Sequence, residues 1–418
     1  MTKWISLLLI IGWIFSTHQV AMGQTNQSSQ FLQTVGVLDS VYSERLKEFR
    51  KFFLQLPVDY QDNRDKQYPL VFIIDGEVLL PTVNNVQGFY GGGFIPEAIL
   101  IAISNDQNRT RDLTTSKIND KNRDLVDEAK SGAADFSNFI EAGLIPYVEN
   151  NYRATNYRTL IGHSYGGLFT IYTLLNHPYL FSNYLAIDPS LDWDDQKLIK
   201  EAQETLTNQD YHGKSLFISL NGQLHMQKPQ VTIENVMQDT SVFILFARSN
   251  IIFSNTVKQN NQNGLNFKWK FYPRELHGTI PFPSIMDGLI ALFDGYQWEE
   301  TDKFNSPETP KEEILKIVND RANKLQSHFG YSVPPYPEDI LIMSGYMNMD
   351  MQQPDKTKMY FELAINYYPQ SANAYDSMAD YYEAAGDIAN AIRYVAKAFE
   401  ISGKDQYKDR MKKLEKRN

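Results

Sequence analysis

Between residues 41 and 298, short apolar runs alternate with stretches whose apolar residues recur every third or fourth position. An apolar run bounded by turn residues reads as a strand buried on both faces, and the longer period reads as an amphipathic helix. Strands are predicted at residues 49–56, where Pro57 stops the run, and at 69–74, 99–103, 158–162, 184–187, 216–220 and 267–271. Helical spacing falls between several of them, notably at 136–148 and 168–175. Such alternation predicts an α/β fold, a mainly parallel sheet with helices on both faces.

From Thr301 the pattern changes. Asp302, Lys303, Asn305, Ser306, Pro307 and Pro310 read as a polar linker, followed by a charged helix over 311–328. Beyond it lies an internal repeat with a period of about 34 residues. Tyr375, Met378, Ala379, Tyr382, Ala391, Val395 and Ala398 take the large and small positions at which two antiparallel helices pack, and Leu341, Ser344, Gly345, Asn348, Phe361 and Ala364 match them one period earlier. Pro369 closes the earlier unit. The pattern resembles the tetratricopeptide repeat and predicts a small all-α helical-repeat domain. Two units leave their end faces uncovered, so they are expected to pack on the 311–328 helix and to offer a surface to a protein partner.

At the other end, Lys3 precedes an apolar stretch over 5–15, and Ala21-Met22-Gly23 supplies small residues for cleavage. Residues 1–23 therefore read as an export signal, giving a periplasmic or secreted chain with no stable membrane insertion after cleavage. The expected divisions are 1–23 signal, 24–300 α/β body, 301–335 linker and helix, and 336–418 helical repeats.

Composition narrows the chemistry. A net charge of −10 repels nucleic acid on average, and none is expected as a partner. The chain has no cysteine, which excludes disulfides, a thiol nucleophile, a lipid-modified N-terminal cysteine and cysteine-ligated metals.

The strongest local signal is Gly162-His163-Ser164-Tyr165-Gly166-Gly167, which runs from a predicted strand into a predicted helix. A serine at such an elbow takes a strained backbone conformation, and glycines flank it because side chains there would collide with the neighbouring helix or strand. The helix start and the Tyr165 amide then face any oxyanion that forms on the serine's target. Ser164 needs a base to take its proton. Of the seven histidines, His18 lies in the signal, His163 is expected to point away from the elbow, His177 precedes a proline and His328 lies beyond the body. His212, His225 and His277 remain. His277 fits best, because it closely follows the last predicted strand and precedes a closing helix, in keeping with a serine, acid, histidine chain order.

Several separate stretches now converge on one family. Residues 50–57, 68–76 and 109–114, the elbow, Asp188-Pro189-Ser190-Leu191, and His277-Gly278-Thr279-Ile280-Pro281 with Pro283, Ser284 and Asp287-Gly288-Leu289 resemble the esterases that include ferric enterobactin and salmochelin esterases, relatives of S-formylglutathione hydrolase and feruloyl esterases. The resemblance implies an α/β-hydrolase fold over the body, Ser164 as nucleophile, His277 as base, and a second oxyanion donor from the amide of Gly76 or Glu77. Relatives commonly carry a carboxylate after the strand at 216–220, where this chain reads Asn221-Gly222-Gln223. Some such enzymes work with a serine-histidine dyad. Asp239 is the favoured acid, with Glu234, Asp194 and Asp192 as the alternatives.

Arg109-Thr110-Arg111-Asp112 is expected to tie down a loop through ion pairs. The stretch Gly88-Phe89-Tyr90-Gly91-Gly92-Gly93-Phe94 is expected to wall an acyl or aryl pocket. The resulting expectation is an exported serine esterase acting on small-molecule esters through an acyl-enzyme, with no metal or organic cofactor. Siderophore lactones, feruloyl or acyl carbohydrates and short-chain esters all fit. The alternative is a catalytically silent hydrolase scaffold that binds a partner through its helical repeats.

Overall fold

Tyr68–Ile73, a run without a charged residue, forms strand β3 near the middle of an eight-stranded sheet in the computed structural model, which describes residues 35–61, 66–116 and 131–417. Every residue of β3 is buried, as expected of a strand with helices on both of its faces. The other strands are β1 (Val37–Ser43), β2 (Glu48–Gln55), β4 (Ile99–Ile103), β5 (Ala154–His163), β6 (Asn183–Ile187), β7 (Ser215–Asn221) and β8 (Asn266–Tyr272), in the spatial order β1-β2-β4-β3-β5-β6-β7-β8. The ladder from β4 through β3, β5, β6 and β7 to β8 is parallel, and β2 pairs antiparallel with β4. All the predicted strands are present within a few residues. β1 was not predicted: its residues alternate between exposed and half-buried along the sheet edge, so it lacks the apolar run that marks the inner strands.

Leu70 and Phe72 from β3, Leu160 from β5, Tyr184 from β6 and Ile218 from β7 meet Leu168, Phe169 and Ile171 of the helix Tyr165–Asn176 in one buried core. Burial of a side chain such as Phe169 contributes about 1.5–3 kcal/mol. That core fixes the C-terminal ends of β3, β5, β6 and β7, where the chemistry-bearing residues lie. The segment at 136–148 is helical but not uniform: Ala133–Phe139 passes through a wider turn, Ile140–Leu144, into Ile145–Asn151.

The C-terminal part is all-helical. After Lys311–Phe329 come Glu338–Asp350, Pro354–Tyr367, Ala372–Ala384, Ile388–Ser402 and Asp405–Glu415, with successive helices packed against each other from Glu338 onward. Small residues set the spacing: a Cβ added to Gly345 would lie 2.3 Å from the Phe361 ring, and Ala379, Ala391 and Ala398 are buried. The stretch read as a linker is itself packed. Thr301–Phe304 is a short helix whose buried Phe304 stacks on Tyr336 at 4.1 Å. One aromatic among polar residues is enough to anchor it, which a compositional reading does not register.

Leu38–Asn418 forms one compact unit. Buried Arg321 joins its two parts by donating to the carbonyls of Pro335, Gln297 and Tyr296 at 2.5, 2.8 and 2.5 Å. Tyr157 of β5 packs on Phe329 and bonds His328. The expected signal at 1–23 lies outside the described residues, among which no helix is long and apolar enough to cross a membrane.

Candidate active site

β5 ends at His163 and the next helix starts at Tyr165, so Ser164 alone turns the chain. Its φ of 59° and ψ of −115° fall where a residue with a side chain is strained, at about 1–3 kcal/mol. Surrounding bonds hold it there. The Ser164 amide donates to the Ile187 carbonyl at 3.0 Å, and the Ser164 carbonyl accepts from Leu168 and Ser190 at 2.9 and 3.1 Å. The flanking glycines are steric necessities: a Cβ on Gly162 would lie 2.1 Å from the Gly166 carbonyl oxygen, and one on Gly167 would lie 2.9 Å from Pro189. The Ser164 hydroxyl is left 3.3 Å from that of Ser190.

His277 stands on the loop between β8 and the helix Pro281–Leu292. Its Nδ1 is 2.6 Å from Oδ2 of Asp188, a fully buried carboxylate directly after β6. Asp188 has φ 44°, a left-handed conformation that aspartate and asparagine tolerate better than most residues. Its carboxylate also accepts from the backbone amide and the side-chain amide of Asn221 at 3.1 and 2.5 Å, and its own amide donates to the Ser219 carbonyl at 3.1 Å. The ends of β5, β6 and β7 thus converge with the loop after β8. Phe246 meets His277 edge-on at 5.4 Å between ring centroids. Among the described residues no hydrogen bond links Ser164 to His277; ligand-free enzymes often close that bond only with substrate in place.

The expected oxyanion donors lie at two adjoining helix starts. Gly76 and Glu77 open the helix Gly76–Tyr90 after Asp75, and Tyr165 opens the elbow helix, so these amides have no intrahelical acceptor. A Cβ on Gly166 would sit 3.2 Å from Ile74 and 3.5 Å from the Asp75 carboxylate, which shows how closely the two turns approach. Arg109 clamps them. It pairs with both Asp75 oxygens at 2.8 Å, donates to the His163 carbonyl at 3.3 Å and covers the Tyr165 ring. Arg111 and Arg50 close on the buried Asp112, so this arginine-rich stretch binds the protein itself.

Asp239, the favoured acid, is elsewhere. Its carboxylate accepts from the Ser241 amide at 2.8 Å, pairs with Lys228 at 3.2 Å and lies 3.4 Å from His225 Nε2; the Ser241 bonds, then Lys228, hold it well below the usual carboxylate range. Glu234 is exposed, and Asp192 and Asp194 begin the helix Trp193–Asn208. The carboxylate on His277 is Asp188, which sequence reasoning passed over although it opens one of the family-like stretches. His225 is buried and accepts from the amides of Gln227 and Lys228, and His212 is an exposed partner of Asp210.

His163 departs from expectation. It does not point away but lies against His277, 4.6 Å between ring centroids, and burial with the neighbouring His277 brings its pKa down to about 4. The glycine-aromatic stretch departs as well: it follows the far end of Gly76–Tyr90, about 20 Å from Gly76 at 1.5 Å per residue, and Phe89 is exposed. A cleft of about 330 Å³ lined by Gly222, Leu224, Lys228, Arg274 and Leu276 opens beyond the ends of β7 and β8, and neither His277 nor Ser164 lines it.

Residues 43–238 match the family described as "Putative esterase". The match covers just under half of the chain. Over 179 residues the chain is 37% identical to a siderophore enterobactin esterase of Emericella nidulans, covering 40% of this chain and 57% of that protein. Over 150 residues it is 30% identical to the ferri-bacillibactin esterase BesA of Bacillus subtilis, covering 32% of this chain and 52% of that protein. The chain therefore spans little more than half the length of these relatives. An IroE-like serine hydrolase from Shewanella oneidensis shares the fold, with a TM-score of 0.64, 24% identity, and coverage of 79% of this chain and 99% of that one.

Proposed function

We propose that the chain is an exported serine esterase that hydrolyses carboxylic esters, with siderophore-type esters as the substrate class. The observation that carries the reading is the buried Asp188 held 2.6 Å from His277 Nδ1, beside a serine kept in a strained turn. Asp188 fixes the proton on Nδ1, leaving the Nε2 lone pair for the Ser164 proton. Ser164 Oγ bonds to the ester carbonyl carbon as His277 takes its proton, and the charge on the carbonyl oxygen falls to the amides of Tyr165 and of Gly76 or Glu77. The carbon–oxygen bond to the alcohol then breaks, the alcohol leaving with the proton from His277. Water attacks the acyl-enzyme by the same proton route in reverse, freeing the acid and Ser164. The names of the relatives supply the substrate class. Export through residues 1–23 belongs to the same reading.

The test is labelling of the protein with a fluorophosphonate probe and hydrolysis of p-nitrophenyl acetate and of enterobactin, alongside Ser164→Ala and His277→Ala. Labelling lost in Ser164→Ala and strongly slowed in His277→Ala is expected, with turnover following. A folded wild type that neither labels nor turns over any ester refutes the assignment.

A further inference from the structure

One side chain at this site has no part in the ester chemistry described above. His163 ends β5, its Nε2 is buried without a hydrogen-bond partner, and its ring lies against that of His277. His163, Asp188 and His277 each present one ligand atom, and these atoms lie within 4.8 Å of one another. Two imidazoles and a carboxylate form a donor set for zinc-like divalent transition ions, whereas magnesium and calcium take oxygen ligands.

The scaffold suits such an ion. Ligand atoms about 2.0–2.2 Å from one ion lie roughly 3.3–3.5 Å apart, a separation between the present 2.6 Å of Asp188 to His277 and the 4.8 Å limit of the cluster. His163 is paired in register with Ile187, the residue before Asp188, so two of the ligands sit on adjacent rigid strand ends. The third stands on a loop and is part-exposed, free to adjust. Asn221, donating twice to Asp188, orients the carboxylate as an outer-shell partner does in metal sites.

We propose that His163, Asp188 and His277 bind a divalent transition ion of the zinc type, and that occupancy switches the esterase off. The inhibition rests on the esterase reading of the same site; the binding does not. The ion takes the Nδ1 lone pair of His277, so the proton of the neutral ring moves from Nδ1 to Nε2 with no net release. A protonated Nε2 has no lone pair for the Ser164 proton, and Asp188 is drawn to the ion.

The experiment uses the full protein, its His163→Asn and His163→Phe variants, buffered free Zn²⁺ in the p-nitrophenyl acetate assay, and Co²⁺ binding followed by its visible absorption. Expected are inhibition of wild type by micromolar Zn²⁺, reversal by chelator and no effect of Mg²⁺. Each variant should need at least about tenfold more Zn²⁺ for half-inhibition, keep zinc-free turnover within about twofold and lose the Co²⁺ band. The phenylalanine variant preserves the packing, and a thermal melt of each variant verifies its fold. Equal inhibition of wild type and both variants, or activity without Co²⁺ binding, overturns the proposal while leaving the esterase reading intact. A chain that hydrolyses no ester yet binds Co²⁺ through His163 sinks the esterase reading and keeps the site.

Discussion

Replacing Asp188 by asparagine isolates the carboxylate's effect on His277 from its effect on the backbone. Asparagine tolerates the left-handed φ of 44° that residue 188 adopts, so the turn after β6 should persist. The backbone amide of Asn221, a donor that cannot change its role, lies 3.1 Å from Oδ1 and would hold the new carboxamide oxygen there, leaving the NH₂ at the Oδ2 position shared by the Asn221 side chain and His277. The carboxamide NH₂ then faces His277 Nδ1. A donor there forces the ring to keep its lone pair on Nδ1 and its proton on Nε2, the wrong tautomer for taking a proton from Ser164. Wrong-tautomer substitution of this kind costs about 10³ to 10⁴ in kcat in serine hydrolases, or roughly 4–5.5 kcal/mol of transition-state stabilisation. We expect Asp188→Asn to lose that factor in kcat/KM for p-nitrophenyl acetate with little change in KM, while Asp239→Ala stays within about threefold of wild type. Retention of more than a tenth of wild-type activity in Asp188→Asn, or an equal loss in Asp239→Ala, would refute the assignment of the acid.

Two further outcomes follow from burial rather than catalysis. The folded protein holds the His163 pKa down to about 4 against an ordinary 6.5, so the unfolded chain binds its proton more readily. The stabilisation from keeping this ring neutral is fully present above pH 6.5 and is lost as pH falls toward 4, at most about 3 kcal/mol in all; His163→Gln should flatten urea-unfolding stability across that window in chelator-treated buffer. Arg321→Ala removes the donor shared by the carbonyls of Tyr296, Gln297 and Pro335 and should cost about 3 kcal/mol of unfolding free energy, with unchanged turnover per folded molecule; a loss of activity without loss of stability would mean that the helical part acts on the site directly.

The parts of this protein that were legible in its sequence are those whose physics is local. Strands β3, β4 and β7 are buried throughout and so announce themselves as apolar runs, and the elbow is marked by glycines whose absent Cβ atoms would otherwise strike Gly166 and Pro189. The edge strand β1, with exposed alternate positions, offers no such run. The acid was illegible for a different reason. Asp239, after β7 in chain order, was favoured, with Asp192 and Asp194 a few residues past β6 as alternatives, whereas reach to His277 depends on which strand ends lie side by side, and β6 lies between β5 and β7. Asn221, at the end of β7 where a carboxylate was expected, donates both its amides to Asp188. An aspartate at 221 would set two buried carboxylates within hydrogen-bond distance, where both do not ionise together. The two positions are therefore coupled: a carboxylate after β6 calls for a donor after β7. An amide where the acid is expected thus directs the search to the neighbouring strand, and here that search ends on Asp188.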